Sequence, residues 1–465
     1  MICSQRQAAA FVAALLLGLA GAGPVNGQSG FGGPNILSRS SFYPGRPSLT
    51  PLKLRAFVST TGFYTDGLTS QDQQGNLATT GSFGFGIGGG VYGVKITSRT
   101  HTTLGYSGSY NITNISGGVS YNSAVSRHNF NGMDQTLTFQ HERQLTRRWG
   151  FFTGHSAGTQ NSVLRARTLE QQGQFRSSFS DSYVNYFEPL DTRVYYLNSS
   201  AGFFFRRSRR LQFSFEGGVF TVHRQMTALA SSRGGHAQGE ISYQLSPRQT
   251  ISLLYNFNHF HYQRAYGESQ VHGVNIAYSR RLSRAWGLSL RAGPFQVVSD
   301  RLQRVPVDPF IAWLTGQKTT IEAVHVVNHG LSVNGALNGS SRNHNHAFSV
   351  NYNRSVNPGN GLTLTALGET SGVNYGYSGI KNISFGAHSF YSSLSPVLYG
   401  LENQKRYGAW GFGGGATYRL TSSLFIVSNA EVARVLYNGT NLNVIRKTVT
   451  LGLGFSPGEL PLKWR

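Results

Sequence analysis

The sequence predicts an all-β protein, a transmembrane antiparallel up-and-down β-barrel of about 16–18 strands. Three observations predict it: side chains alternate with a period of two, one short turn recurs along the chain, and short and long connections take turns. The stretch from Val271 to Val298 shows the first two together. Val274, Ile276 and Tyr278 alternate with Asn275, Ala277 and Ser279. The polar break "RRLSRA" follows, and Leu288 and Leu290 then alternate with Ser289 and Arg291. This is the signature of a hairpin whose strands are apolar on one face and polar on the other.

The turn is the repeating unit. A polar residue, Leu, Ser or Thr and two turn residues precede a new strand in "ERQLTRRWGFF" (Glu142 to Phe152), "SYQLSPRQTIS" (Ser242 to Ser252), "SRRLSRAWGLS" (Ser279 to Ser289) and "TYRLTSSLFIV" (Thr417 to Val427). Between these tight turns lie longer polar segments near 65–80, 113–133, 161–191, 225–235, 300–322, 393–406 and 437–444. Short turns on one rim and long loops on the other fit a membrane barrel, and an even strand count returns both ends to the short-turn side.

In chain order, residues 1–27 read as a signal peptide. Arg6 precedes the apolar run "AAAFVAALLLGLAGAG", and small residues lead to a cut near Gly27 and Gln28. The one cysteine, Cys3, lies within it, so the mature chain is expected to carry no disulfide, thiolate metal site or cysteine nucleophile. Residues 28–51 are rich in Gly, Pro and Ser without periodicity and read as a flexible leader. The barrel spans 52–455, opening with Leu52, Leu54, Ala56 and Val58. In "GSFGFGIGGGVYGVKITS" (81–98), Phe83, Phe85 and Ile87 oppose Gly84, Gly86 and Gly88; no strand-then-helix unit surrounds these glycines, which argues against a phosphate loop. Further strands fall near 101–112, 134–144 and 148–160, in the hairpin 193–220, and then near 236–246, 249–263, 269–282 and 285–299. The remainder lie near 323–337, 344–355, 371–379, 382–392, 407–419, 424–436 and 447–455, and 456–465 read as a tail.

Composition agrees with this plan. Charged residues are 13% and apolar residues 39%, too few of each for an ordinary soluble surface and core, while there are 58 Gly, 30 Phe and 23 Tyr. A face of Asn, Ser, Thr and Gly makes no dry core, so it should meet water, and the aromatic and aliphatic face should meet lipid. Trp149 and Trp286 sit just past turns, where a membrane-interface girdle would lie. The formal net charge is +23, with arginines concentrated in the short turns, where outer-membrane lipid phosphates are the expected partners. Export makes nucleic acid an improbable one.

The signal peptide, the alternating strands of about ten residues, the turn asymmetry and a last apolar strand ending at Phe455 resemble Gram-negative outer-membrane β-barrels of porin-like type. The resemblance is architectural, covers about 52–455, and implies an outer-membrane passive channel without cofactors. Two features depart from it: "SPGELPLKWR" follows Phe455, and the net charge is positive.

Parity from the apolar positions turns Lys53, Arg55, Lys95, Glu142, Glu216 and Arg291 into the lumen as candidate lining residues. Small hydrophilic solutes are the expected cargo, with net charge favouring anionic ones. The glycines of 84–90, with Gly411, Gly413 and Gly415, leave inward space for a folded-in loop or the leader. A non-conducting structural or surface-interaction barrel is the alternative. No "GxSxG" elbow supports an enzyme. His259 with His261, and His344 with His346, each share a strand face without the further ligands a metal needs.

Overall fold

The computed structural model describes residues 53–71, 77–97, 99–116, 132–161, 193–226, 229–263, 267–283, 285–307, 310, 313, 316, 319–340, 345–361, 363–397, 406–438, 442–457 and 459–461. The signal segment 1–27 and leader 28–51 lie outside them, as do most of the loops expected at 113–133 and 161–191.

The wall begins with β1 (Lys53–Gln71), β2 (Leu77–Ile96), β3 (Thr100–Ser116), β4 (Gly132–Gln144), β5 (Trp149–Asn161) and β6 (Arg193–Arg206). It continues through β7 (Leu211–Arg224), β8 (Ser231–Ser246), β9 (Gln249–Gln263), β10 (Glu268–Arg281), β11 (Trp286–Pro306) and β12 (Thr319–Ser340). It ends with β13 (His346–Asn357), β14 (Ala366–Tyr377), β15 (Ile383–Pro396), β16 (Arg406–Arg419), β17 (Leu424–Asn438), β18 (Leu442–Phe455) and the three-residue β19 (Glu459–Pro461). Each strand from β1 to β18 pairs antiparallel with the next, and β18 returns to β1 from Val58↔Phe455 to Asp66↔Lys447. The sheet is closed, so no ladder edge faces the surroundings along that seam.

Part of the tail belongs to the wall. β19 pairs with Lys53, Leu54 and Arg55, taking up the seam below Phe455. Ser456 bridges the step, donating its hydroxyl to the Ala56 carbonyl at 3.0 Å and its N–H to the Ser423 carbonyl at 2.7 Å.

The strands run longer than the alternation indicates. β1 and β2 reach into 65–80, β8 starts at Ser231, and β11 and β12 extend through 300–306 and 319–322. A tilted strand crosses hydrocarbon in about 9–11 residues. Beyond that band both faces meet water, so pairing continues without an apolar-out pattern to announce it.

Alternation sorts the side chains as the sequence expects on the outer face. Val58, Phe83, Phe85, Ile87, Leu104, Phe203, Phe215, Ile276 and Leu451 are exposed there, Phe83 by 61% and Leu451 by 62%. The inner face departs from the expectation of small polar residues alone. Phe63, Phe204, Phe295 and Phe425 are inward and buried. Each ring covers a glycine on the adjoining strand. A Cβ on Gly84 would stand 2.3 Å from Phe63, one on Gly150 2.2 Å from Phe204, one on Gly330 2.4 Å from Phe295, and one on Gly454 2.2 Å from Phe425. Bare backbone lets the ring lie flat, which removes about 1.5–3 kcal/mol worth of apolar surface from lumen water per ring.

The expectation that inward glycines leave room for a loop is corrected on the same ground. Gly84 and Gly90 lie under Phe63 and Phe57, Gly411 and Gly413 under Phe390 and His388, and Gly415 against the Ser428 carbonyl and Asn429.

Candidate functional site

The lumen's outer half is narrowed from another direction. Residues 357–361, 363 and 365–366, joining β13 to β14, are buried against the inner wall of β7 to β12. Gly359 and Gly361 have φ of 75° and 87°, a region costly for residues with a Cβ, so the Asn-Pro-Gly-Asn-Gly sequence makes this tight reversal accessible. The Asn357 side-chain oxygen accepts from the Gly359 N–H at 2.9 Å, and that of Asn360 accepts from Thr363 N–H at 3.0 Å.

Two anchors hold the segment. Arg224, 1% exposed at the top of β7, donates from Nη1 to the Ala230 carbonyl at 2.7 Å and from Nη2 to the Gly359 carbonyl at 3.4 Å; Ala230 N–H donates to Gly361 O at 3.0 Å. The second anchor is a chain of hydroxyls. Thr365 N–H donates to the Tyr262 phenol at 2.7 Å, and the phenol shares a 2.7 Å bond with Thr365 Oγ1. Thr365 Oγ1 meets Ser269 Oγ at 2.5 Å, Ser269 meets Ser299 Oγ at 2.7 Å, and Ser299 donates to the Glu268 carbonyl at 3.1 Å. Because each hydroxyl has one proton, the terminal donation fixes the direction: Tyr262 donates to Thr365, Thr365 to Ser269, and Ser269 to Ser299.

Apolar contact completes the docking. Val356, Leu364 and Leu367 pack on a cluster of inward residues that includes Tyr196, Phe220, Phe260, Tyr262, Phe295 and Val297. Val397, beyond β15, joins them, its N–H donating to Thr365 O at 3.2 Å and its carbonyl accepting from the Asn328 side-chain amide. Sequence reasoning missed this element. Its one available signal, two glycines just after Asn357-Pro358 in a stretch without alternation, marks a reversal but not the side to which it folds.

Below the segment the inner wall is polar and carries charges of both signs. Glu216 is buried on β7 and hydrogen-bonds Ser200. Arg291 on β11 reaches Asn256 Oδ1 at 3.4 Å, Asn275 donates to the same oxygen at 2.8 Å, and Ser332 donates to Asn275 Oδ1 at 2.6 Å. Glu142 lies inward and exposed near the short turns, sharing the parity of Asp134 on β4. Elsewhere on the wall His388 meets Glu431 at 3.2 Å, and Arg206 stands 5.0 Å over the Phe204 ring.

Of the expected lining residues, then, Glu142, Glu216 and Arg291 face the lumen. Lys95 does not. β2 keeps an unbroken register from Gly81 to Ile96, so Lys95 retains the parity of Phe83, Phe85, Ile87 and Val91 and is exposed on the outer face. Its apolar neighbours Val94 and Ile96 suggest the reverse only when parity is taken locally. Lys53 and Arg55 have their backbones in β1, paired with Val94 and Tyr92, but their side chains fall outside the described residues. Trp149 and Trp286 both face outward beside short turns; Trp149 lies 4.6 Å from Phe205 and Trp286 6.2 Å from Phe348, ring centre to ring centre. His259 faces outward and meets Glu268 at 3.9 Å, while His344 lies outside the described residues.

An apolar belt around the wall, an inner face of hydrogen-bonded Asn, Ser and charged groups, and full closure define a transmembrane β-barrel with a water-lined interior. No protein-family model matches the sequence. No curated protein matches it either. Among solved structures, the chain is similar to Pseudomonas aeruginosa OccK5 (OpdH), at 13% identity over 88% of this chain and 98% of that one, TM-score 0.38. It is similar to Acinetobacter baumannii OccAB4, at 10% identity over 90% and 100%, TM-score 0.40. A BenF-like porin from Pseudomonas fluorescens Pf-5 gives 12% identity over 87% and 98%, TM-score 0.41.

Proposed function

We propose that the protein is an outer-membrane, porin-like passive channel for small hydrophilic solutes, without enzymatic activity. The supporting observation is the opposed chemistry of the two faces. Phe215 and Val219 meet the surroundings, whereas Glu216 and Gly218 between them face the interior beside Gln238 and Ser200. A barrel of this strand number is wide enough for an aqueous path.

The inward charges give no bias toward anions. Asp134, Glu142, Glu216, Glu240 and Glu431 stand against Arg206, Arg224, Arg291, Arg419 and Arg446 on the same inner face. The large net positive charge resides mainly on the short-turn rim, so the anion preference expected from composition is not carried forward.

A non-conducting barrel is the second reading, favoured by the burial of residues 357–361, 363 and 365–366 inside the wall. Planar-bilayer recording separates the two. Discrete ohmic steps support the channel; silence from a membrane-inserted, heat-modifiable protein supports the scaffold.

A further inference from the structure

The short turns carry a band of cations that the channel reading leaves unused. Arg147 and Arg148, then Arg207, Arg209 and Arg210, then Arg248 are exposed on three successive turns. Lys95, Arg143 and Arg280 are exposed on the outer wall at the same level, with the parity of Val91, Leu137 and Ile276. Along the arc from β2 to β11, the one carboxylate among the described residues at this level is Glu142, and it faces the lumen. An aromatic row runs directly beside the cations: Trp149 lies 4.6 Å from Phe205, and Phe205 lies 6.4 Å from Phe213. Tyr243 and Tyr418 continue this level on other strands.

We infer that this rim is a binding surface for anionic phospholipid headgroups of the adjoining leaflet. Aromatic rings seat at the boundary between hydrocarbon and headgroups. Cations placed one to three residues beyond them are therefore level with the lipid phosphates, and arginine meets a phosphate with paired N–H donors. The distribution identifies the occupant. The cations follow the wall around more than half of its strands, from β2 to β11, and include outward-facing side chains on the wall itself. Annular lipid follows that outline, whereas a single docked protein would cover one side. The inference also accounts for Lys95, which stands on the outer wall where a lumen role is closed to it.

The test is lipid selectivity of the full chain reconstituted in phosphatidylcholine bilayers containing spin-labelled phosphatidylglycerol. Each arginine near an anionic surface contributes enough to give an association ratio of about five over labelled phosphatidylcholine. That ratio should fall toward about one in a variant with all nine of Lys95, Arg143, Arg147, Arg148, Arg207, Arg209, Arg210, Arg248 and Arg280 replaced by Gln, and should fall with salt in the unsubstituted protein. Arg233→Gln, an exposed arginine on the outer face at the long-loop end of β8, away from the short-turn rim, should leave it unchanged. Heat-modifiable migration checks that each variant is folded. A ratio near one for the unsubstituted chain overturns the inference, and so does a preference that survives all nine substitutions. Neither result bears on conductance, so the channel reading stands or falls separately.

Discussion

Tyr262→Phe tests whether the segment between β13 and β14 governs the path. The phenol accepts from Thr365 N–H and donates to Thr365 Oγ1, both at 2.7 Å, and it is 4% exposed within the docking cluster. Phenylalanine keeps the ring and its packing but removes both hydrogen bonds, leaving a buried backbone N–H with no acceptor. Such a loss costs about 1–3 kcal/mol. At about 2 kcal/mol the ratio of undocked to docked segment rises roughly thirtyfold. Because the lost bonds hold the segment rather than the wall, the barrel's heat-modifiable migration should not change. Single-channel recordings should show a higher-conductance level visited far more often than in the parent protein. An unchanged conductance histogram from the correctly folded variant would refute the reasoning, since the segment would then not obstruct the path.

Three further outcomes follow from the wall. Gly150→Val places a Cβ where Phe204 stands 2.2 Å away, so it should destabilise by about 1–3 kcal/mol in urea unfolding, whereas Gly239→Ala, with nothing within 4 Å, should be neutral or slightly stabilising. Arg291→Gln removes an inward cation and should raise cation over anion permeability roughly twofold in reversal-potential measurements, while Lys95→Gln, on the outer face, should leave the reversal potential alone. Truncation after Phe455 deletes the β19 pairing and the Ser456 bonds to Ala56 and Ser423; the unfolding midpoint should drop by the equivalent of about 1–3 kcal/mol, and an unchanged midpoint would show that the seam ends at Phe455.

Much of this architecture is legible in the chain because hydrocarbon enforces alternation. Every residue of Phe83 to Ile87 or Phe213 to Glu216 must choose a side, and the choice is written in its polarity. The legibility stops where that pressure stops. Thr319 to Glu322 on β12 lie in the extension beyond the membrane band and read as loop, since water on both sides imposes no pattern. Inside, Phe63 and Phe425 look like lipid-facing residues until their partners Gly84 and Gly454 are known, and those partners lie on neighbouring strands rather than nearby in sequence. Lys95 was misassigned by its immediate neighbours; only the uninterrupted ladder carries the parity of Phe83 to it. The docked segment was illegible for a different reason. Its fold depends on Arg224, Tyr262 and Ser269, each about a hundred residues or more away in sequence.

The account's central claim is that lipid bathes one face of each strand and water the other, in a fixed phase. Cysteine scanning measures this directly, since Cys3 is the one thiol in the chain and its replacement gives a clean background. Single cysteines along Gln212 to Phe220 should react with a membrane-impermeant thiol reagent at 212, 214, 216 and 218. Fluorophores attached at 213, 215, 217 and 219 should instead be quenched from the acyl chains. Reactivity with no period of two, or with the two sets exchanged, would contradict the account.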